Sequence, residues 1–137
     1  MRLLDLRTGA VRTAEGRHGA TITQIRFTPD GRTLVTTGDD GKIALWDVEN
    51  AATSGETLSG HAGPINSAQI TRDGAIYTSS VDGTVLIWDL AGSRRLGRPF
   101  ETGTGNPGRP HLALSSDGRL IATARHHGCA LLEAGLR

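Results

Sequence analysis

The sequence predicts an all-β chain of repeated antiparallel sheets, and three observations predict it. Nineteen glycines punctuate short runs rich in β-branched residues, the pattern of strands and turns rather than helices. Asp-Gly pairs close these runs at Asp30-Gly31, Asp40-Gly41, Asp73-Gly74, Asp82-Gly83 and Asp117-Gly118. Glycine there supplies positive φ while the Asp carboxylate bonds back to its own backbone. The third observation is a fixed echo: "TGDDGKIALWD" at 37–47 returns 42 residues later as "SSVDGTVLIWD" at 79–89.

Each element follows from that echo. Stepping back 42 residues from Trp46-Asp47 lands on Leu4-Asp5, so the chain enters in the middle of a unit. Residues 1–15 then supply the third and fourth strands of a truncated unit. Residues 16–58 form the first complete one, with strands in "TITQIRF" (21–27), "RTLVTT" (32–37) and "KIALW" (42–46) and an outer strand in "SGETL". Residues 59–101 repeat it, ending in "RLGRPFE", and residues 102–137 give three strands of a partial, degenerate unit. Thirteen strands at four per unit make about three units, and a period near 42 points to a propeller-type array.

On these residues the chain resembles the WD-repeat β-propeller family. The resemblance rests on Gly60-His61, Asp82-Gly83, Trp46-Asp47 and Trp88-Asp89, at matched spacing, and covers essentially the whole chain. It implies a buried polar network in each unit. Carried over by position, the networks are His18, Thr36, Asp40 and Trp46, then His61, Thr78, Asp82 and Trp88. In each, the Asp accepts from the imidazole and the hydroxyl bridges imidazole and indole. In the third unit, "ARHHGCALLEA" aligns His127 with the turn Asp, Glu133 with the Trp and Ala134 with the following Asp, so only Thr123 survives. No His stands near Gly105. This unit is expected to be the least ordered.

Closed propellers have about 4–8 blades, so three cannot close a ring. Each end is expected to expose an apolar face and an unsealed strand edge. The expectation is a segment of a longer propeller, with self-association into a six-bladed ring or an open arc as alternatives.

Composition narrows the function. Net charge is +1, which gives no electrostatic case for nucleic acid or anionic lipid. Asp5 and Arg7 interrupt the apolar core a signal peptide needs. No apolar run approaches the roughly 20 residues that span a bilayer. Cys129 is alone, so a reducing cytoplasm is expected and a thiolate metal cluster is not. Fourteen Arg against the single Lys42 suggest a GC-rich, bacterial source.

Four motifs that resemble chemistry have plainer readings. Hydroxyl, imidazole and carboxylate occur together in each network, but a nucleophilic triad needs an exposed nucleophile beside an oxyanion site. "GTGNPG" at 103–108 matches G-x-G-x-x-G, yet Pro107 removes a donor and a strand follows where a dinucleotide site needs a helix. His126 and His127, with His111 nearby, are adjacent on the chain and point apart, a poor chelate. Arg94, Arg95 and Arg98 mark a solvated strand edge. No metal and no cofactor is expected.

What the resemblance implies is a non-catalytic scaffold that binds protein or peptide on one loop face. By position that face is Thr21, Thr23, Asp39, Pro64, Asn66 and Val81, too weakly charged to name a ligand class. An alternative is the regulatory C-terminal portion of a larger bacterial signalling protein with ATPase, kinase or DNA-binding modules. A third is a small enzyme using His111, His126 and His127 with Glu133.

Overall fold

The computed structural model describes the backbone of residues 1–14, 18–91, 93–102, 111–125 and 128–133, and their side chains other than those of 53–56, 125 and 128–133. Its described elements are all strands, arranged in four antiparallel sheets. The first sheet pairs β1 (Arg2–Leu4) with β2 (Val11–Thr13). The second runs in chain order through β3 (Ile22–Phe27), β4 (Thr33–Gly38), β5 (Lys42–Asp47) and β6 (Ala52–Ser59). The third repeats it with β7 (Ile65–Ile70), β8 (Ala75–Ser80), β9 (Thr84–Asp89) and β10 (Arg94–Glu101). The fourth holds β11 (His111–Leu114), β12 (Leu120–Arg125) and β13 (Gly128–Glu133). These are blades of an open array, not a closed barrel.

The turns are built as their composition demands. At 28–33 the Gly31 amide donates to Thr28 O at 2.8 Å, and Asp30 Oδ1 accepts from the Arg32 amide at 3.0 Å. The same arrangement recurs in "SSDG", where Gly118 donates to Ser115 O and Asp117 accepts from Arg119.

The core lies between the sheets, in three layers. Met1, Leu3 and Ala14 of the first sheet region pack on Leu34, Ala44 and Trp46. Val35, Ile43, Leu45 and Leu58 meet Ile65, Ile76, Leu86 and Trp88 across the next layer. Tyr77, Val85 and Ile87 meet Leu112 and Ile121 across the last. Alternation along each strand puts successive side chains into the two layers flanking a sheet, so the central strands are buried on both faces. Burying one Trp ring removes ~150–250 Å² from water, an upper estimate of ~4–6 kcal/mol at ~25 cal/mol per Å².

Neighbouring sheets share no strand pairing among the described residues; side chains join them instead. Gln24 Oε1 accepts from the Ala68 amide at 3.2 Å, and Gln69 Nε2 donates to Leu112 O at 3.2 Å. Arg12 Nη1 donates to Val48 O at 3.2 Å and to Glu49 O, clamping β2 to the next sheet's outer turn.

One sequence expectation is corrected by register. Leu34 pairs with Trp46 and Ile76 with Trp88, but the third-unit counterpart Ile121 pairs with Leu132, not Glu133. Glu133 pairs with Leu120, so it occupies the place of Asp47 and Asp89 rather than that of the Trp. The reason is loop length: one residue fewer separates Ala124 from its partner Cys129 than separates Thr37 from Ile43. Ala134, assigned to the Asp position from sequence, lies outside the described residues, as do Gly105, His126 and His127.

Candidate functional site

The blades' polar cores come first, because they consume the residues that resemble catalytic machinery. The Thr36 hydroxyl sits on β4 and the Trp46 indole on β5, and Trp46 Nε1 donates to Thr36 Oγ1 at 2.9 Å. His18 reaches in from the loop before β3, placing Nε2 2.8 Å from the same oxygen. Its Nδ1 faces Asp40 Oδ1 at 3.1 Å. The second unit repeats this: Trp88 Nε1 to Thr78 Oγ1 at 2.8 Å, His61 Nε2 to Thr78 Oγ1 at 2.8 Å, and His61 Nδ1 to Asp82 Oδ2 at 2.9 Å.

The chemistry of these groups fixes the direction of each bond. A carboxylate only accepts, so the neutral imidazole carries its proton on Nδ1 and donates to Asp82. Nε2 is then an acceptor. The Thr78 O–H donates to it, and the free lone pair of Oγ1 takes the indole N–H. The chain therefore runs from indole to hydroxyl to imidazole to carboxylate. Thr36 and Thr78 are fully buried, and the His18 and His61 side chains are 2% and 0% exposed. Burial is the largest influence on His61 and pushes its imidazole below the ordinary 6.5, outweighing the nearby Asp82.

The carboxylates respond in the opposite sense to burial. Burial is the largest single influence on Asp82 and raises it. Donors from the Thr84 hydroxyl, the Ala62 amide, His61 and the Thr84 amide together hold it below its ordinary value. Asp40 is also held down: burial raises it, while His18 and the Lys42 and Gly19 amides prevail.

Close packing explains two glycines. A Cβ on Gly60 would lie 2.9 Å from the Trp88 ring edge, and one on Gly38 would lie 2.6 Å from both His18 and Asp40. The glycine of the Gly-His pair is thus required by the indole behind it.

Sequence reasoning missed Thr84, whose Oγ1 donates to Asp82 Oδ1 at 2.7 Å and lies 3.2 Å from His61 Nδ1. The first unit has Lys42 at that position, so only its backbone amide bonds Asp40. The signal was a hydroxyl residue two places after the turn Asp. In the third unit, Thr123 is fully buried with an unpartnered Oγ1, because Leu132 stands at the indole's register position.

The six residues assigned to the loop face lie at the end of the sheets that also carries Asp40 and Asp82. Asp39 donates its amide to Thr21 O at 2.9 Å, and Val81 to Pro64 O at 3.1 Å. Thr23 and Asn66 both occupy register shifts, in β3 and β7 respectively. Thr23 Oγ1 pairs with Thr37 Oγ1 at 2.9 Å, whereas Asn66 Nδ2 is buried with no partner. Thr21 and Asp39 are exposed; Thr23, Pro64, Asn66 and Val81 are half-buried.

The remaining candidates form no cluster among the described residues. Arg94, Arg95 and Arg98 are exposed along β10, with Arg94 Nε 3.8 Å from Asp89. His111 is exposed on β11. The stretch 103–108, His126 and His127 lie outside the described residues, and so does the side chain of Glu133.

Repeated four-stranded sheets, each locked from indole to carboxylate, define a class of repeat protein. The chain belongs to the family "WD domain, G-beta repeat", which matches residues 10–47 and 53–89, more than half its length. Proteins of this family are generally non-catalytic scaffolds. Among its relatives are the periodic tryptophan protein 2 homolog of Dictyostelium discoideum, 30% identical over 77% of this chain and 11% of that protein. Human DDB1- and CUL4-associated factor 10 is 36% identical over 58% of this chain and 14% of its own length. Eukaryotic translation initiation factor 3 subunit I of Drosophila pseudoobscura pseudoobscura is 36% identical over 50% of this chain and 21% of its own. The chain thus spans about a tenth to a fifth of these relatives' lengths. All three are eukaryotic, so the expectation of a bacterial source rests on the arginine bias alone.

Proposed function

We propose that the chain is a non-catalytic scaffold that binds a protein or peptide across the loop face formed by Thr21, Thr23, Asp39, Pro64, Asn66 and Val81. The observation that carries this is the buried Asn66 Nδ2, a donor without an acceptor beside a half-open face. Leaving such a group unpaired costs ~1–3 kcal/mol, and a partner that draws the Asn66 amide outward onto one of its carbonyl oxygens would recover that cost. The printed names of two relatives, an associated factor and an initiation-factor subunit, describe members of assemblies, which supports the same reading. The hydroxyls of Thr36 and Thr78 are enclosed and already bonded, which argues against nucleophilic catalysis there. A cytoplasmic location is part of the proposal and rests on the lone Cys129.

The test is photo-crosslinking from position 66 compared with position 73, at the opposite end of the strands. A protein captured from 66 and not from 73, and lost in Asp39→Ala, supports the reading. Equal capture from both positions refutes it. A second reading makes the chain a regulatory part of a larger signalling protein. The small share of each relative that it spans favours this, and an open reading frame continuing into an ATPase, kinase or DNA-binding module would establish it.

A further inference from the structure

The turns that join the first two strands of a sheet differ by one residue, and that difference frees a carboxylate. In the second sheet the turn closes between Thr28 and Thr33, and in the fourth between Ser115 and Leu120, each pair five residues apart. Asp30 and Asp117 accept there from the amides of Arg32 and Arg119 and from the hydroxyls of Thr28 and Ser115. The corresponding turn of the third sheet closes between Thr71 and Ala75, four residues apart. The residue after the glycine is the one missing, and with it the amide that would hold Asp73. The Thr71 hydroxyl bonds Ala75 O instead. Asp73 is exposed, and its carboxylate has neither a hydrogen bond nor an ion pair among the described residues.

That carboxylate lines a cleft of about 590 Å³ between the third and fourth sheets, at the end of the strands remote from Asn66. One wall comes from the end of β7, its turn and Tyr77, the other from 114–118. Tyr77 is 1% exposed, with its ring packed among Val85, Ile87 and Leu112. Its Oη has no hydrogen-bond partner among the described residues. The polar atoms sealed without a partner are Asn66 Nδ2 and Thr123 Oγ1, so Oη is not sealed, and the small exposed fraction of Tyr77 meets the cleft. Burial raises the phenol above its ordinary 10.0 and the Asp73 charge adds to the rise, so the two groups lie within electrostatic reach.

The polar locks recur from sheet to sheet, and this pair does not. Val35 and Ala122 stand at the register position of Tyr77 in the neighbouring sheets. A carboxylate and a phenol that the fold leaves unused therefore share one cleft.

We propose that this cleft binds a small molecule bearing a guanidinium group on an aliphatic stem. A guanidinium carries five N–H donors in a planar fork and no acceptor, which matches a carboxylate through two parallel bonds. Asp73 takes the paired N–H groups, Tyr77 Oη accepts another, and the stem lies along Ile70 and Leu114. Asp117 on the facing turn gives the lining two negative charges against the one positive charge of Arg72. The volume falls within the roughly 300–1,000 Å³ of small-molecule clefts. This site is separate from the loop face and needs no protein partner.

Titration of the isotope-labelled full chain with n-butylguanidinium, followed by amide chemical shifts, tests the proposal. Saturable shifts should be confined to 70–77 and 114–118, and the uncharged n-butylurea should produce none. Asp73→Asn, in an exposed turn, should weaken binding about tenfold or more with unchanged far-ultraviolet circular dichroism. Tyr77→Phe, which keeps the packed ring, should weaken it a few fold. Glu49→Gln, which removes an exposed carboxylate elsewhere, should bind as the parent does. No saturable shift, an equal response to n-butylurea, or undiminished binding in Asp73→Asn would overturn the proposal.

Discussion

Removing one hydroxyl from the second lock should be costly in a way that a double-mutant cycle can read. Thr78→Val keeps the side chain's volume while deleting the oxygen that accepts from Trp88 at 2.8 Å and donates to His61 Nε2 at 2.8 Å. Two buried polar atoms lose their partner, and at ~1–3 kcal/mol each the expected loss is about 2–4 kcal/mol, allowing for partial relaxation. Trp88→Phe removes the indole donor in advance. In that background Thr78→Val should therefore cost about 1–2 kcal/mol less than in the parent. Urea unfolding followed by circular dichroism gives the four stabilities, with coincidence of two probes as the check on two-state behaviour. Costs that add to within about 0.5 kcal/mol would show that the hydroxyl and indole do not act together, and the directional chain would be wrong.

The third unit gives the opposite result for the same substitution. Thr123→Val removes a buried oxygen that has no partner, so stability should be unchanged or higher in the same urea assay. Acid should destabilise the fold. His61 and Asp82 both lie below their ordinary values of 6.5 and 3.8, so the unfolded chain binds protons more readily. Stability is then fully present above 6.5, begins to fall as pH drops through that value, and falls further below 3.8 as Asp40 and Asp82 take up protons. A urea midpoint that rises on acidification through 6.5 would contradict the neutral His61. Gly31 and Gly41 share positive φ, at 70° and 71°, but a Cβ meets nothing at Gly31 and lies 3.0 Å from the Gly63 and His61 carbonyl oxygens at Gly41. Gly31→Ala should cost about 1 kcal/mol and Gly41→Ala clearly more, and equal losses would deny the close approach.

The strand frame was legible because turn chemistry is local. Asp-Gly at 30–31, 73–74 and 117–118 needs only its own four or five residues to form, so its recurrence reveals the period directly. Geometry between sheets was not legible. Gln24 and Gln69 look like ordinary polar strand residues until a neighbouring sheet brings Ala68 N or Leu112 O within reach. Thr84 was passed over for a related reason: its role depends on His61 arriving from twenty-three residues away. The misplacement of Glu133 has a different origin. Aligning "HHGCALLEA" by its glycine assumes a constant loop, whereas the ladder counts from Ile121 and finds Leu132 one position earlier.

The absence of strand pairing between sheets among the described residues has an evolutionary consequence. Among the described residues the strand ladders stay within each sheet, and neighbouring sheets are joined by bonds and contacts that use a side chain on at least one side. Unequal recombination that duplicates or deletes a unit therefore severs no ladder and lengthens or shortens the arc by a fixed step. Drift within one unit, such as the loss of its indole, likewise leaves the others intact.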